Sequence, residues 1–383
     1  MVLNPSRSSG NKVTEVVRKN TAHVQQLRKM YSLDNGRVQG EAGWEKFPHF
    51  WFILFLSYQC TRKCRYCYAL NQAGVGRRHL EMDEDTFAVL LDWIPEVWRQ
   101  NNVKVNIVNF LGGEPLLRTD RIKKVMDVVY SHTDGMQGLV NTNADLVDTA
   151  NWDDLQSIQW MTVNIADTSL EELARRMNII RQRSNVINQT IAATLDEVNL
   201  ERVVDITRFG MENGYRLRFY KNLFAAPGGE YHRNLLKKYH QVIDLLEKYI
   251  ARGFDVHTTF LFDILIPSWD LPSSPYPCGK RLAVVFPDGT IGPCIRNHGV
   301  TTGTILDPDP LRRLQSAMFH YDGTRSDLPE DCRECPSRSV CQGGCPNDKL
   351  LVTGSSAGKS VACDLHREII PRLQHLDGLQ RRS

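Results

Sequence analysis

The chain has 383 residues, of which 42% are hydrophobic and 24% charged, and its formal net charge is +3. This length favours one large domain and a smaller one, and the composition is that of a soluble globular protein. Basic residues are scattered, the first residues carry no secretory signal, and no apolar run is long enough to span a bilayer. We therefore expect a cytoplasmic protein that binds neither nucleic acid nor membrane.

Apolar residues at helical spacing predict a helix over 13–30, inside a polar segment that covers residues 1–48. From residue 50 onward, apolar β-rich runs alternate with amphipathic helical patterns. The predicted strands cover 50–57, 103–111, 138–142, 160–163, 189–193 and 216–220. The predicted helices cover 82–99, 121–132, 170–183, 200–213 and 231–251, the last two closed by Gly214 and Gly253.

Such alternation predicts an α/β fold of parallel strands joined by right-handed crossovers. Periodicity alone leaves two architectures open, an incomplete barrel and a doubly wound sheet. Near residue 266 a run rich in proline and serine ends the alternation, so we place a domain boundary between 49–265 and 266–383. Beyond it, Asp288-Gly289 predicts a β-hairpin in an otherwise loop-rich, cysteine-rich region.

Three of the ten cysteines follow the first predicted strand at C-x3-C-x2-C spacing, as Cys60, Cys64 and Cys67. Three thiolates on one loop can bind three irons of a 4Fe–4S cluster and leave the fourth iron open to another ligand. A structural zinc site is the alternative, but zinc usually takes four ligands, commonly from paired C-x2-C units. The spacing therefore favours an iron–sulfur cluster with one open iron.

This segment, with Tyr66 before its last cysteine, resembles the signature of the radical S-adenosylmethionine (radical SAM) superfamily. A second stretch, at the end of the second predicted strand, resembles the GGEP motif of the same family. It comprises Gly112, Gly113, Glu114 and Pro115. Glycines let the backbone approach a ligand closely, and Glu114 can pair with an ammonium.

The resemblance implies a partial (βα)6 barrel like that of TIM barrels, with cluster and cosubstrate at the carboxyl ends of the strands. It implies that the three cysteines hold the catalytic cluster and that Glu114 binds the amino group of S-adenosylmethionine. It also places Thr142 and Asn143 at the ribose and Asn164 at the cosubstrate carboxylate. The alternative for these three is ordinary capping of strand ends.

The other seven cysteines resemble the SPASM extension of the superfamily, which carries two auxiliary 4Fe–4S clusters, making three in all. The resemblance assigns four cysteines to one auxiliary cluster and three to the other. These are Cys332, Cys335, Cys341 and Cys363 for the first, and Cys278, Cys294 and Cys345 for the second. The fourth ligand of the second cluster is left open. Tyr276 and His298 are candidates, with loop packing as their alternative role.

The resemblance implies reductive cleavage of S-adenosylmethionine and abstraction of a substrate hydrogen, with electrons from an external donor such as flavodoxin or ferredoxin. The favoured substrate is a ribosomally made peptide, oxidised to a crosslink or a related product. The alternatives are dehydrogenation or epimerisation of a sugar or aminocyclitol, and a zinc-binding interaction protein without activity. Cys294 is followed by Ile295 rather than by the Asp of sulfatase-maturing relatives, which argues against that activity.

The roughly 50 residues before the barrel look too short for a module that binds a leader peptide, so we expect a separate protein to supply one if the substrate is a peptide. On the sixth strand, Arg216, Arg218 and Tyr220 alternate with apolar residues, which predicts one face directed into the barrel. For each of these side chains we expect surface solvation or an internal salt bridge rather than a role toward substrate.

Overall fold

The structure is a computed structural model. It describes residues 50–67, 69, 80–101, 105–132, 137–222, 229–254, 256, 260–262, 282–295, 301–309, 328–341, 343–345, 348–349, 359–360 and 362–380. The helix predicted over 13–30 lies outside these residues, as do Tyr276, Cys278 and His298. In the part of the chain that the structure describes, no helix is long and apolar enough to cross a membrane.

One sheet of ten strands organises the described residues, in the order β10-β9-β8-β1-β2-β3-β4-β5-β6-β7. The strands are β1 Phe50–Phe55, β2 Val105–Leu111, β3 Gln137–Thr142, β4 Ile158–Asn164, β5 Asn188–Leu195, β6 Arg216–Lys221, β7 Phe260–Phe262, β8 Leu282–Val285, β9 Thr290–Gly292 and β10 Gly303–Thr304. From β1 to β7 the strands follow chain order and every neighbouring pair is parallel. A doubly wound sheet reverses its strand order, so this sequential order identifies the incomplete barrel.

Helices cover one face of the sheet. They are α1 Glu84–Asn101, α2 Thr119–His132, α3 Leu170–Arg183, α4 Glu197–Asn213, α5 Glu230–Ile250 and α8 Cys363–Gln380, whereas the short helices α6 Glu330–Arg333 and α7 Arg338–Cys341 lie in the cysteine-rich region. Their buried residues and alternate residues of the strands form one large apolar cluster. Removing this apolar area from water is the main stabilising contribution to the fold.

Local signals set the helix boundaries close to the predicted ones. The side chains of Ser169 and Asp196 accept hydrogen bonds from backbone N–H groups in the first turns of α3 and α4. Gly214 ends α4 with a φ of 70°, a left-handed conformation that glycine adopts without strain. The six predicted strands are all present, and β7 is a seventh, short one.

The hairpin near Asp288 is part of the same sheet. β8 pairs parallel with β1, from Trp51 opposite Leu282 to Leu54 opposite Val285, and antiparallel with β9. The sheet therefore continues across the boundary placed between residues 265 and 266, which stays a prediction.

A long C-terminal helix, α8, was not predicted. It begins at Cys363 and buries Leu365, Ile369, Leu373 and further apolar residues in the main apolar cluster, beside α5. Arg372 of this helix donates to Asp244 of α5 at 2.7 Å. The end of the cysteine-rich region thus completes the outer layer of the barrel instead of forming a loop.

Candidate active site

The three-cysteine loop leaves the carboxyl end of β1. The N–H of Cys67 donates to the carbonyl of Cys64 at 3.1 Å, which forms a tight turn between these two thiols. The N–H of Arg62 donates to Sγ of Cys60 at 3.4 Å. Cys67 also contacts the small apolar cluster that β1 and β8 form on the concave face of the sheet.

The electrostatics of this loop suit a bound cation. Partial desolvation, and then the negative charges of Glu114, Cys64 and Cys67, raise the pKa of the Cys60 thiol to about 11, although the side chain keeps solvent contact. Desolvation likewise raises the pKa of Cys64, with a further contribution from Cys67. A bound metal centre would lower the pKa of these thiols, because it stabilises the thiolate form directly.

Within the described residues, no three His, Cys, Asp or Glu side chains converge as ligands of one metal ion. In a 4Fe–4S cluster each thiolate binds a different iron, so the ligands need not converge on one point.

A charged network holds the cysteine loop against the turn after β3. Arg62 donates through Nε to Asp145 at 2.7 Å, and the Thr61 hydroxyl donates to the same carboxylate at 3.0 Å. Arg176 of α3 donates to Asp145 at 2.6 Å. Burial raises the pKa of Asp145, but these hydrogen bonds outweigh it and lower the pKa to about 2. The carboxylate therefore stays ionised at neutral pH.

Gly112 and Gly113 pack directly against the start of the cysteine loop. The N–H of Gly113 donates to the carbonyl of Ser57 at 2.8 Å. A Cβ on Gly113 would lie 1.8 Å from the carbonyl oxygen of Gln59, and one on Gly112 would lie 2.4 Å from that of Ser57. Both glycines are thus required for contact between two backbone segments, in addition to any approach to a ligand.

The Glu114 carboxylate is buried, with 3% of the residue exposed, where the ends of β2 and β3 meet. It accepts hydrogen bonds from the Thr142 hydroxyl at 2.6 Å and from the N–H groups of Asn143 at 2.8 Å and Leu116 at 3.0 Å. Burial raises its pKa to about 7, against the lowering effect of these bonds. Pro115 begins a short 3-10 helix, Pro115–Arg118, where its fixed φ is favourable.

Thr142 and Asn143, at the end of β3, contact Glu114 and the cysteine loop. Thr142 is buried, and its hydroxyl is engaged with Glu114. The Asn143 amide donates to the Thr61 hydroxyl at 2.8 Å and to Sγ of Cys60 at 3.6 Å, and the residue stays partly exposed. The structure therefore brings the predicted ribose residues next to the cysteine loop.

Tyr66 and Asn164 meet although they lie 98 positions apart. The Tyr66 hydroxyl donates to Oδ1 of Asn164 at 3.3 Å, and the same oxygen accepts the N–H of Ala166 at 3.1 Å. Ala166 has a φ of 42°, a left-handed conformation that costs a residue other than glycine about 1 kcal/mol. The turn after β4 is therefore held in a strained shape beside the cysteine loop.

The C-terminal cysteines lie in a separate group. Burial, and then the charges of Cys363, Cys332 and Cys335, raise the pKa of the Cys341 thiol to about 11, so these four predicted ligands are close enough to interact electrostatically. Sγ of Cys341 also lies 3.2 Å from Nδ1 of His366. No disulfide joins any two of the nine cysteines that the structure describes.

The three residues singled out on the sixth strand, Arg216, Arg218 and Tyr220, are all at least partly buried. Arg216 is buried, with 6% of the residue exposed, and its guanidinium lies 4.7 Å from the centre of the Trp160 ring. Arg218 is partly buried beside Tyr220. Surface solvation, one of the roles expected for these arginines, is therefore wrong for Arg216.

Sequence reasoning missed the network around Asp145. Arg62 stands between two predicted cluster ligands, and Asp145 lies two positions after Asn143, the second predicted ribose residue. The opposite charges of Arg62 and Asp145, each beside a predicted motif, could have suggested an ion pair. No spacing rule, however, predicts a contact between positions 83 residues apart.

Residues 54–210 match the family model described as Radical SAM superfamily. The chain is 23% identical over 339 residues to a PqqA peptide cyclase of Xanthomonas oryzae pv. oryzae, covering 82% of this chain and 87% of the relative. It is 24% identical over 351 residues to a PqqA peptide cyclase of Gluconobacter oxydans, covering 83% and 91%.

A solved structure, native anSMEcpe with bound AdoMet and Cp18Cys peptide, matches with a TM-score of 0.69 at 17% identity. The match covers 88% of this chain and 99% of that one, and it shows that the two share a fold.

A partial barrel with a three-cysteine loop and a GGEP turn at the carboxyl ends of its strands defines an enzyme of the iron–sulfur, S-adenosylmethionine class. The family model that residues 54–210 match, Radical SAM superfamily, falls within this class. Residues 54–210 therefore carry a radical SAM domain, and the cysteine-rich C-terminal region is consistent with a SPASM-type domain.

Proposed function

We propose that this protein is a radical SAM enzyme that oxidatively modifies a ribosomally made peptide. One structural observation carries the proposal: the cysteine loop, Glu114 and Asn164 lie together at the carboxyl end of one parallel sheet. The named relatives, PqqA peptide cyclases and a structure with a bound peptide, support a peptide as the substrate.

The residues present fit the cofactors that this family uses. Cys60, Cys64 and Cys67 would hold the open cluster, because they share one loop at the end of β1 and a metal centre would stabilise the thiolates of Cys60 and Cys64, whose pKa burial raises. The carboxylate of Glu114 has accepted three hydrogen bonds, and its two oxygens offer about four acceptor positions, so it can take one more donor. An amino group of the cosubstrate is the donor that we assign to it.

When bound, the open cluster and S-adenosylmethionine supply a 5′-deoxyadenosyl radical that removes one hydrogen atom from a substrate carbon. An oxidative product must lose a second hydrogen as a proton and an electron. Cys332, Cys335, Cys341 and Cys363 would hold one auxiliary cluster as an acceptor of that electron, and Cys278, Cys294 and Cys345 would hold another.

The protein itself orients these parts. Arg62 and Asp145 hold the cysteine loop against the turn after β3, and Tyr66 fixes it to Asn164 on β4. The remaining partners are predictions: an external electron donor of the flavodoxin or ferredoxin type, a separate leader-binding protein and a cytoplasmic location.

The test is anaerobic reconstitution with iron and sulfide, followed by incubation with S-adenosylmethionine, dithionite and peptides encoded beside this gene. We expect 5′-deoxyadenosine and a peptide that is lighter by two hydrogen atoms. Formation of 5′-deoxyadenosine with a modified sugar or aminocyclitol, and with unmodified peptides, would favour the small-molecule alternative. Zinc without acid-labile sulfide would establish the non-enzymatic one.

A further inference from the structure

The alternating residues of β6 face two different environments. Leu217 and Phe219 are fully buried in the apolar cluster between sheet and helices. A Cβ on Gly210 of α4 would lie 2.5 Å from the Leu217 side chain, which shows that this side of β6 packs on α4. Because successive strand residues point to opposite faces, Arg216 and Arg218 face the concave side of the barrel.

Arg218 differs from the other partly buried arginines of the site. Arg62 and Arg176 each bind the carboxylate of Asp145. Arg218 has its guanidinium 5.1 Å from the Tyr220 ring centre, but among the described residues no carboxylate pairs with it, and its buried Nε has no hydrogen-bond partner. A partly buried cation is costly unless it finds an anion. Arg218 therefore has capacity for a negatively charged ligand.

The sheet register places Arg218 beside the reaction site. Asn164 on β4 lies opposite Ala192 on β5, and Ala192 lies opposite Arg218 on β6. Two strand spacings separate the Cα atoms of Asn164 and Arg218, which is about 10 Å. Since Asn164 bonds to Tyr66 of the cysteine loop, Arg218 lies within the reach of one residue of a substrate bound there.

The other residues of the concave face indicate which chemical class of ligand Arg218 would bind. Near β1 and β8 this face is apolar, with Ile53, Phe55 and Val284 buried in the cluster that Cys67 contacts. Near β6 it carries two arginines, each with its guanidinium near an aromatic ring. Stacked guanidinium groups bind carboxylates in bidentate fashion. A ligand that contacts both the apolar region near β1 and β8 and the arginines of β6 would have an apolar part and a carboxylate.

Resting on the proposed function, we propose that Arg218 binds the side-chain carboxylate of an acidic residue in the peptide substrate and so selects acidic peptides. The carboxylate of S-adenosylmethionine is an alternative ligand for Arg218, so the experiment must distinguish it from the carboxylate of the peptide. Arg218 acts here as a binding residue, and no general base is implied.

The experiment compares wild type with Arg218→Gln and Arg218→Lys, using reconstituted protein with S-adenosylmethionine present. The probes are two fluorescein-labelled peptides, Ala-Ala-Glu-Ala-Ala and Ala-Ala-Gln-Ala-Ala, with binding followed by fluorescence anisotropy. The control is Arg181→Gln, which removes an exposed arginine that lies 5.2 Å from the Tyr215 ring on the helix side.

We expect wild type and Arg181→Gln to bind the Glu peptide about tenfold more tightly than the Gln peptide, which corresponds to one charge-assisted pair. Arg218→Gln should bind both peptides equally weakly, and Arg218→Lys should keep part of the preference. Cleavage of S-adenosylmethionine in the absence of peptide should stay within twofold of wild type in the control variant Arg181→Gln. Iron content and the visible cluster spectrum establish that each variant is folded.

Equal affinity of wild type for the two peptides would overturn the proposal. So would weaker binding of S-adenosylmethionine by Arg218→Gln, since that result assigns the arginine to the cosubstrate. Because the readout is binding, a preference for acidic peptides without any modified peptide would refute the proposed function and leave the anion site standing. Modification of neutral peptides at an undiminished rate would refute the anion site and leave the proposed function standing.

Discussion

Arg62 and Asp145 lie 83 residues apart and are joined by a hydrogen bond of 2.7 Å from Nε to Oδ2. Arg62 stands between the first two cysteines of the three-cysteine loop, and Asp145 stands in the turn after β3. The pair is mostly shielded, with 14% of the Arg62 side chain and 24% of the Asp145 side chain exposed. The pair connects the three-cysteine loop to the turn at the carboxyl end of β3.

Replacing Asp145 by Asn should loosen this loop. The change leaves Arg62 and Arg176 without their anion, and we expect a loss of about 1–3 kcal/mol in the free energy of unfolding of the metal-free protein. Urea unfolding measures this quantity. The control is Asp148→Asn, which breaks the exposed pair with Arg175 and should have a much smaller effect on the free energy of unfolding, because solvent screens that pair. Equal effects of the two changes would contradict the anchoring role.

The buried Glu114 should make stability depend on pH. Its pKa is raised to about 7, so between about pH 4.5 and 7 the native state binds more protons at this carboxyl than the unfolded state does. The free energy of unfolding of the metal-free protein should therefore fall, relative to Glu114→Gln, by up to about 3 kcal/mol as pH rises through this window. Denaturant titrations across pH test this, and parallel curves for the two proteins would show that Glu114 does not titrate there.

Gly113 should tolerate no side chain. In Gly113→Ala the new Cβ would meet the Gln59 carbonyl, so the contact between the GGEP turn and the cysteine loop must open. We expect a loss of at least about 2 kcal/mol in stability and poor cluster incorporation. Gly253→Ala is the matched control. Gly253 has a φ of +81° with nothing within 4 Å of the added atom, so it should lose about 1 kcal/mol and keep its cluster.

Changing Cys60, Cys64 and Cys67 together to Ala should abolish 5′-deoxyadenosine formation while iron remains in the C-terminal part. These thiols are the ligands assigned to the open cluster, whereas the group around Cys341 is left untouched. Iron and sulfide analysis with product detection makes the measurement. Continued cleavage of S-adenosylmethionine would refute the assignment.

Much of the barrel could be predicted from the sequence because it rests on local signals. Helix α3 was predicted at its observed bounds, since Ser169 caps it and its apolar residues follow one face. Helix α8 was missed because Pro371 interrupts its pattern and the nearby cysteines suggested a loop. Its helical state depends on packing against α5, which is distant in sequence.

The site residues, too, divide into those that local sequence motifs predict and those that depend on contacts between distant parts of the chain. The cysteine loop and the Gly112–Pro115 turn are short motifs, so their residues could be read directly. The network around Asp145 and the contact between Tyr66 and Asn164 depend on chain crossings that no spacing encodes. For Arg218, alternation predicted the face, but only the three-dimensional neighbours show that no carboxylate among the described residues pairs with it.

The pairing of β8 with β1 has a consequence for protein engineering. A truncation after residue 265 would strip β1 of the partner that covers Trp51–Leu54 and would also remove α8 from the surface of α5. The exposed strand edge and the uncovered apolar helix face would both promote aggregation. Chimeras that exchange substrate-handling regions with relatives should therefore carry the hairpin and the last helix together with the barrel that they complete.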